Sequence, residues 1–275
     1  MGEVPTGDDE NGHEPDAEPG CKNIDFLFVI DNSGSMGDEQ QNLRTSVPEF
    51  ITSINSILEL DAINLMVNAT DDYAINNQDP CTGLGASVMV SEGGECGPYA
   101  GGSHFMTEAD DLNEAFECAA NLGVAGDGTG NERPMDAVKE AIGGGLECND
   151  GFVRDDALLV VTVITDEDDA PGDPDGHSNS SGDPEEWFEK VVDAKDGNVD
   201  HVVALALVGV EKPNECPPFQ WNGQTGAEIN TSIREWVDMF GDYGFVGDVC
   251  ASSYGPFFEA ALKVIEEACE EFPPQ

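Results

Sequence analysis

The chain has 275 residues, long enough for one large α/β domain with insertions or two small domains, and its 39% hydrophobic content is ample for a core. Acidic residues number 57 and basic ones 10, a formal charge of -47. That balance argues against nucleic acid and anionic membrane surfaces as partners, since both share its sign, and favours cations and basic surfaces; most of the charge reads as a solvated surface that keeps the protein soluble.

Residues 1–20 form an acidic tail with seven acids, three Pro and four Gly. Such a segment buries too little apolar surface to order itself and is expected to act as a disordered linker. No apolar run approaches the roughly 20 residues of a membrane span. No positive stretch followed by an apolar one marks a signal peptide. Met1 to Thr6 matches the loose myristoylation pattern, which Glu3 and Pro5 suit poorly, so the match reads as chance.

From Ile24 the chain alternates strand and helix signals. Ile24 to Ile30 is an apolar run, as in a strand buried on both faces. Leu43, Val47, Phe50, Ile51, Ile54 and Leu58 make a helical stripe within Glu39 to Leu58. Ile63 to Val67 is a second strand. Residues 70–107 have weak periodicity and many Gly, and are expected to be an insertion holding a small hairpin, stapled by Cys81 and Cys96. Helices are predicted over Glu108 to Leu122 and Pro134 to Leu146, with a Gly-rich loop from Gly123 to Gly130 between them. Leu158 to Ile164 is the most strand-like run. Asp183-Pro184-Glu185-Glu186 reads as an N-cap, a first-turn Pro and a capping-box Glu. A buried strand (Val202 to Val210), a helix (Ile229 to Phe240), a short strand (Tyr243 to Val249) and a final helix (Pro256 to Cys269) follow. This alternation predicts βαβ crossovers, hence a doubly wound, mainly parallel sheet with helices on both faces.

Ligands bind open parallel sheets at the C-terminal edge of the strands. Two strands end there in acids: Ile24–Ile30 in Asp31-Asn32-Ser33-Gly34-Ser35, and Leu158–Ile164 in Thr165-Asp166. Alternate residues of an extended turn place Asp31, Ser33 and Ser35 oxygens on one side. Hard oxygen ligands of this kind suit one divalent cation, Mg²⁺, Ca²⁺ or Mn²⁺.

These residues resemble the metal-ion-dependent adhesion site (MIDAS) of von Willebrand factor type A domains, which reads Asp-x-Ser-x-Ser after the first strand. A Thr in a later Gly-rich loop and an Asp after the fourth strand complete that site. Asp31, Ser33, Ser35 and Asp166 match position by position, and the order of elements matches over residues 22–270. The domain so implied spans 21–272. Asp-Asn-Ser-Gly-Ser-Met with Ile-Thr-Asp-Glu-Asp-Asp is similar, more narrowly, to exported bacterial type A proteins, often lipoproteins, for which a lipid anchor would lie upstream of the tail. The third loop departs from the pattern. Counting back from Ala137, as in the family, lands on Glu132, while the nearest Thr is Thr129. Either Thr129 reaches the metal from a longer loop, or Glu132 replaces it. Glu132 would supply a third carboxylate and occupy the position that family members leave for a partner's acid.

The eight cysteines form no CxxC, and with only four His a zinc cluster is not expected. Four disulfides are the simplest account and place the chain outside the cytoplasm. The resemblance implies Cys21–Cys269, because the first strand's entrance and the last helix's end lie close together in such domains. Neighbouring elements are expected to join through Cys81–Cys96, Cys118–Cys148 and Cys216–Cys250.

Other motifs carry little. In the acidic stretch from Asp166 to Asp183, Asp173, Asp175 and Gly176 suit a calcium loop but Pro171 and Gly182 spoil its ends, so a solvated acidic loop is expected. No GxSxG occurs, and Gly126 to Gly130 lacks the Lys of a phosphate loop. His13, His104, His177 and His201 have no neighbouring nucleophile pattern. An enzyme is not expected. Two classes of function remain: an adhesion-type binding module whose metal takes a carboxylate from a partner protein, and a cell-surface structural or assembly protein whose metal only clamps the loops. The sequence leaves the oligomeric state open.

Overall fold

Two apolar strands, β1 (Asn23–Ile30) and β6 (Leu158–Ile164), run parallel in register from Ile24↔Leu158 to Ile30↔Ile164 and form the middle of a six-stranded sheet. The computed structural model describes residues 20–58, 60–124, 132–171, 179–218 and 226–272. On one side β1 pairs in parallel with β2 (Ala62–Ala69), and β2 with a short antiparallel edge strand, β5 (Met106–Thr107). On the other side β6 pairs with β7 (Val202–Val208) and β7 with β8 (Gly244–Asp248), both in parallel. The order β5-β2-β1-β6-β7-β8 reverses direction of growth between β1 and β6, the switch point at which open α/β sheets bind ligands.

The two-residue side-chain period sorts each strand between two cores. Ile24, Phe26, Phe28 and Ile30 of β1 join one cluster; Leu27 and Val29 join the other. The first is covered by α1 (Gly37–Ile57), α2 (Leu112–Ala119) and α6 (Gly255–Glu271). The second is covered by α3 (Pro134–Ile142), α4 (Pro184–Asp193) and α5 (Ser232–Asp238), with Trp187 and Trp236 fully buried. The doubly wound, mainly parallel sheet read from the sequence is therefore present. The helix start at Asp183 is as expected too: its carboxylate accepts a 3.0 Å hydrogen bond from the Glu186 N–H, with Pro184 in the first turn.

Residues 70–107 do contain a two-stranded hairpin, β3 (Val90–Ser91) with β4 (Gly94–Glu95), and they supply β5. They pack on the domain closely. Gly85 has φ +76°, and a Cβ there would stand 2.7–2.8 Å from Glu140 Cβ and the Ala137 carbonyl of α3. The Gly85 carbonyl accepts hydrogen bonds from the Asn149 and Asn68 amides (2.8 and 3.2 Å).

That docking corrects two of the expected disulfides. The bonds are Cys21–Cys269, Cys81–Cys148, Cys96–Cys118 and Cys216–Cys250, with no free cysteine. The outermost and last pairs are as predicted; Cys81–Cys96 and Cys118–Cys148 are not. The segment does not staple itself but is stapled twice to its surroundings, by Cys81 to the turn after α3 and by Cys96 to α2. Among the described residues no helix is long and apolar enough to cross a membrane.

At the N-terminal edge of the sheet, Asp25 is fully buried on β1. Its oxygens accept from the Arg154 backbone N–H (2.7 Å) and Nε (2.8 Å), and Arg154 Nη2 lies 2.7 Å away. Arg154 also donates to the Ile24 carbonyl at 3.0 Å, so one charge pair ties the loop before β6 to β1.

Candidate metal site at the C-terminal edge

The sheet ladder carries the two motif loops to the same place. The Asp31 N–H donates to the Ile164 carbonyl (2.9 Å), extending the β1–β6 pairing by one residue, and the Thr165 N–H donates to the Leu207 carbonyl (3.1 Å). Asp31 is fully buried. Its Oδ1 accepts from the Ser33 N–H at 2.7 Å, which curls the loop so that the Ser33 and Ser35 hydroxyls stand 3.2 Å apart. Its Oδ2 accepts from the Thr165 hydroxyl at 2.6 Å. Thr165 thus joins the two loops, a role sequence reasoning missed; its one signal was a hydroxyl just before the Asp at the end of a buried strand. The loop then enters α1, whose Gln40 amide donates to the Asp31 carbonyl (2.9 Å) and to the Gly123 carbonyl (2.8 Å). Gln40 so links the first loop to the start of the Gly-rich one.

Glu132 is brought to this edge. It is 7% exposed, receives a hydrogen bond from the Thr70 hydroxyl at the end of β2, and feels the charge of Asp31. The neighbouring Arg133 N–H donates to the Thr70 carbonyl (2.7 Å), and Arg133 pairs with Asp72 at 3.7 Å, so the segment carrying Glu132 is moored to β2. Thr129 lies outside the described residues. Asp31, Ser33, Ser35, Glu132 and Asp166 are therefore gathered at one edge.

Of the acidic stretch from Asp166 to Asp183 that the sequence suggested as a solvated loop, residues 172–178, with Asp173 and Asp175, lie outside the described residues, and its first four acids are not simply solvated. Asp166 and Asp169 are 1% and 2% exposed. Asp169 accepts from the Met135 N–H (3.1 Å) at the start of α3 and from the Ser180 N–H (2.6 Å). Asp168 accepts from the Thr231 and Ser232 N–H groups (3.1 and 3.2 Å) at the start of α5. Two of the four acids thus satisfy helix N-termini, where orphan N–H groups and the positive end of the helix dipole favour a carboxylate. The other two, Asp166 and Glu167, feel the charge of Asp31.

Electrostatics sets these remaining acids apart. Burial, then the charge of Asp31, pushes both Asp166 and Glu132 up to about 9. The same two causes raise Glu167 to about 7. Burial raises Asp31 itself, against hydrogen bonds from Thr165 and Ser33. Glu39 of α1 rises to about 8 through burial and then through Asp38 and Asp31. Buried carboxylates cost free energy unless paired. Among the described residues that pairing is missing. Neither oxygen of Asp166 has a hydrogen-bond partner, nor does Glu39 Oε2, nor either polar atom of the Asn32 amide. Ser35 lies near enough to Asp166 to counter part of its shift without satisfying it. Hard, unpaired oxygen donors around Asp31 fit a divalent cation. Elsewhere two groups have their ligand atoms within 4.8 Å of one another, Cys81 with His104 and Cys148, and Cys216 with Asp248 and Cys250, but their cysteines are disulfide-bonded and offer no thiolate.

No protein-family model matches the chain, and no curated protein matches it. Among solved structures it is similar to proximal thread matrix protein 1 from the mussel byssus, at 13% identity over 92% of this chain and 50% of that one, TM-score 0.49. A second structure of that protein, with a zinc-occupied MIDAS motif, gives 13% identity and a TM-score of 0.48. The pilus adhesin SpaC from Lactobacillus rhamnosus GG, in its open conformation, is 12% identical over 91% of this chain and 31% of that one, TM-score 0.43. The chain spans half the length of the mussel protein and less of the adhesin.

Proposed function

We propose that this chain is a protein-binding module of the von Willebrand factor type A kind that works outside the cytoplasm, and that it is not an enzyme. Asp31, Ser33, Ser35 and Asp166, with Glu132 or Thr129, would hold one divalent cation, Mg²⁺, Ca²⁺ or Mn²⁺. When bound, the ion would supply a positive centre able to take a carboxylate from a partner protein. The chain's own residues fix the donors: Thr165 clamps Asp31, Gln40 holds the first loop to the third, and Thr70 holds Glu132. The observation that carries the reading is Asp166, a buried carboxylate with both oxygens unpaired, beside a buried Asp31. Four disulfides with no free thiol support the oxidising compartment. The narrower reading, an exported bacterial surface protein, rests on the motif resemblance alone.

A specific observation favours the alternative of a structural metal. Glu132 is buried, moored through Thr70, and close enough to Asp31 to be raised by it, which suits a carboxylate that fills the partner's position. Calorimetric titration with Ca²⁺ and Mg²⁺ tests both. Native protein should bind one ion and Asp31→Ala none; equal uptake by both would place the site elsewhere. Binding that Glu132→Ala weakens and Thr70→Val weakens less identifies Glu132 as a ligand and favours the clamp over adhesion.

A further inference from the structure

The opposite edge of the sheet holds a feature the metal site does not use. A groove of about 510 Å³ opens where the N-terminal ends of β7 and β8 meet the last turn of α6. Its apolar floor includes Met239 and Phe240, at the end of α5. Met239 is 37% exposed, one of three large hydrophobic side chains left in solvent among the described residues. Phe240 is packed against Trp236 and Phe188, with ring centres 5.4 and 4.9 Å away.

The walls are acidic: Asp200, Asp242, Glu267, Glu270 and Glu271, with no Lys or Arg among the lining residues. Tyr243 donates to Glu271 Oε2 at 2.8 Å, and none of the ion pairs among the described residues engages a groove acid. A second observation is independent of these side chains. Two helices, α5 and α6, point their C-terminal ends at the groove, and neither has a basic residue in its last turn. Helix C-termini carry negative partial charge and ordinarily attract cations; here they are given more carboxylates. A cation bound in the groove would be attracted by both the helix ends and the acids.

We propose that this groove docks a basic, amphipathic segment of a partner protein, its apolar side chain on Met239 and Phe240 and its Lys or Arg groups on the surrounding acids. The site is independent of the metal, lying at the other end of the strands, and charge complementarity defines its occupant. An aromatic or aliphatic anchor within a polar rim is the usual anatomy of such a contact.

The test uses the full chain in saturating calcium and a fluorescent hexapeptide, RKLFKR, read by anisotropy. Reversing two exposed groove acids, Glu267→Lys with Glu270→Lys, should weaken binding about tenfold or more, while reversing two exposed acids of α4, Glu185→Lys with Glu189→Lys, should cost about twofold through bulk charge alone. Met239→Ser should weaken binding of RKLFKR and leave a charge-matched RKGGKR peptide unaffected. The groove reversal should also hold or raise the melting temperature, since it puts cations at a helix C-terminus, which separates lost binding from lost folding. Equal losses from the two reversals, or equal affinity for the two peptides, would overturn the proposal.

Discussion

Replacing Asp166 by Asn should move stability in opposite directions with and without metal. In metal-free protein Asp166 is a buried carboxylate with two unpaired oxygens next to Asp31. An unsatisfied buried polar group costs about 1–3 kcal/mol, more when charged. Asn keeps the shape and removes the repulsion with Asp31 and Glu167. It leaves a buried amide, so only part of the cost returns, about 1–2 kcal/mol. For a domain of this size that raises the metal-free melting temperature by about 2–8 °C. With metal the sign reverses. An ion present at 100 times its dissociation constant stabilises the native protein by about 2.7 kcal/mol, and most of this vanishes with a carboxylate ligand gone. Differential scanning fluorimetry in EDTA and in excess Ca²⁺ gives both numbers for native protein and Asp166→Asn. A variant that melts lower in EDTA and keeps the full calcium shift would refute the reasoning, because Asp166 would then be a structural acceptor and not a ligand.

Peptide mapping without reduction should recover Cys81–Cys148 and Cys96–Cys118 and no Cys81–Cys96 peptide. Asp169→Ala should destabilise the fold by about 1–2 kcal/mol in urea, since it uncaps the Met135 N–H of α3 and strands the Ser180 N–H. Asp25→Ala should cost about 3–5 kcal/mol by leaving Arg154 without its buried partner, and Arg154→Met in the same chain should recover part of that. The Asp25 carboxyl, raised by burial from 3.8 to about 6 against the pull of Arg154, also gives a pH signature. Between those values the folded state holds a proton the unfolded chain has lost, so its contribution to stability falls as pH rises through this window and is level above it. Chemical denaturation from pH 4 to 7 should show a steeper fall in stability for native protein than for Asp25→Asn, the difference being the share of this carboxyl.

Local signals carried much of this structure and long-range ones did not. The apolar runs ending in Asp31 and Asp166 were legible because a strand buried on both faces writes itself into consecutive residues, and its last residue lands at the sheet edge. The helix start at Asp183 was legible because capping acts over three residues. The pairing of Cys81 with Cys148 was not, since it depends on the 70–107 segment lying across α3, which periodicity in that segment does not encode. Nor was the division of labour within Asp166-Glu167-Asp168-Asp169. Asp168 and Asp169 cap helices whose first turns lie far away in sequence, at Thr231 and Met135, so the run looked uniformly acidic and solvated. Thr70 sat in a stretch read as an insertion, and only the parallel pairing of β1 with β2 brings it beside Glu132.

The bond between Cys21 and Cys269 has a mechanical meaning. It joins the entrance of β1 to the last turn of α6 across a sequence separation of 248 residues. A tensile load applied to the chain on either side of those cysteines would pass from one sulfur to the other without entering the strands between. The hydrogen bonds of the sheet would neither shear nor unzip under such a pull, and the loops at the far edge would keep their geometry. A domain built this way can be tugged from both flanks while its sheet keeps its shape.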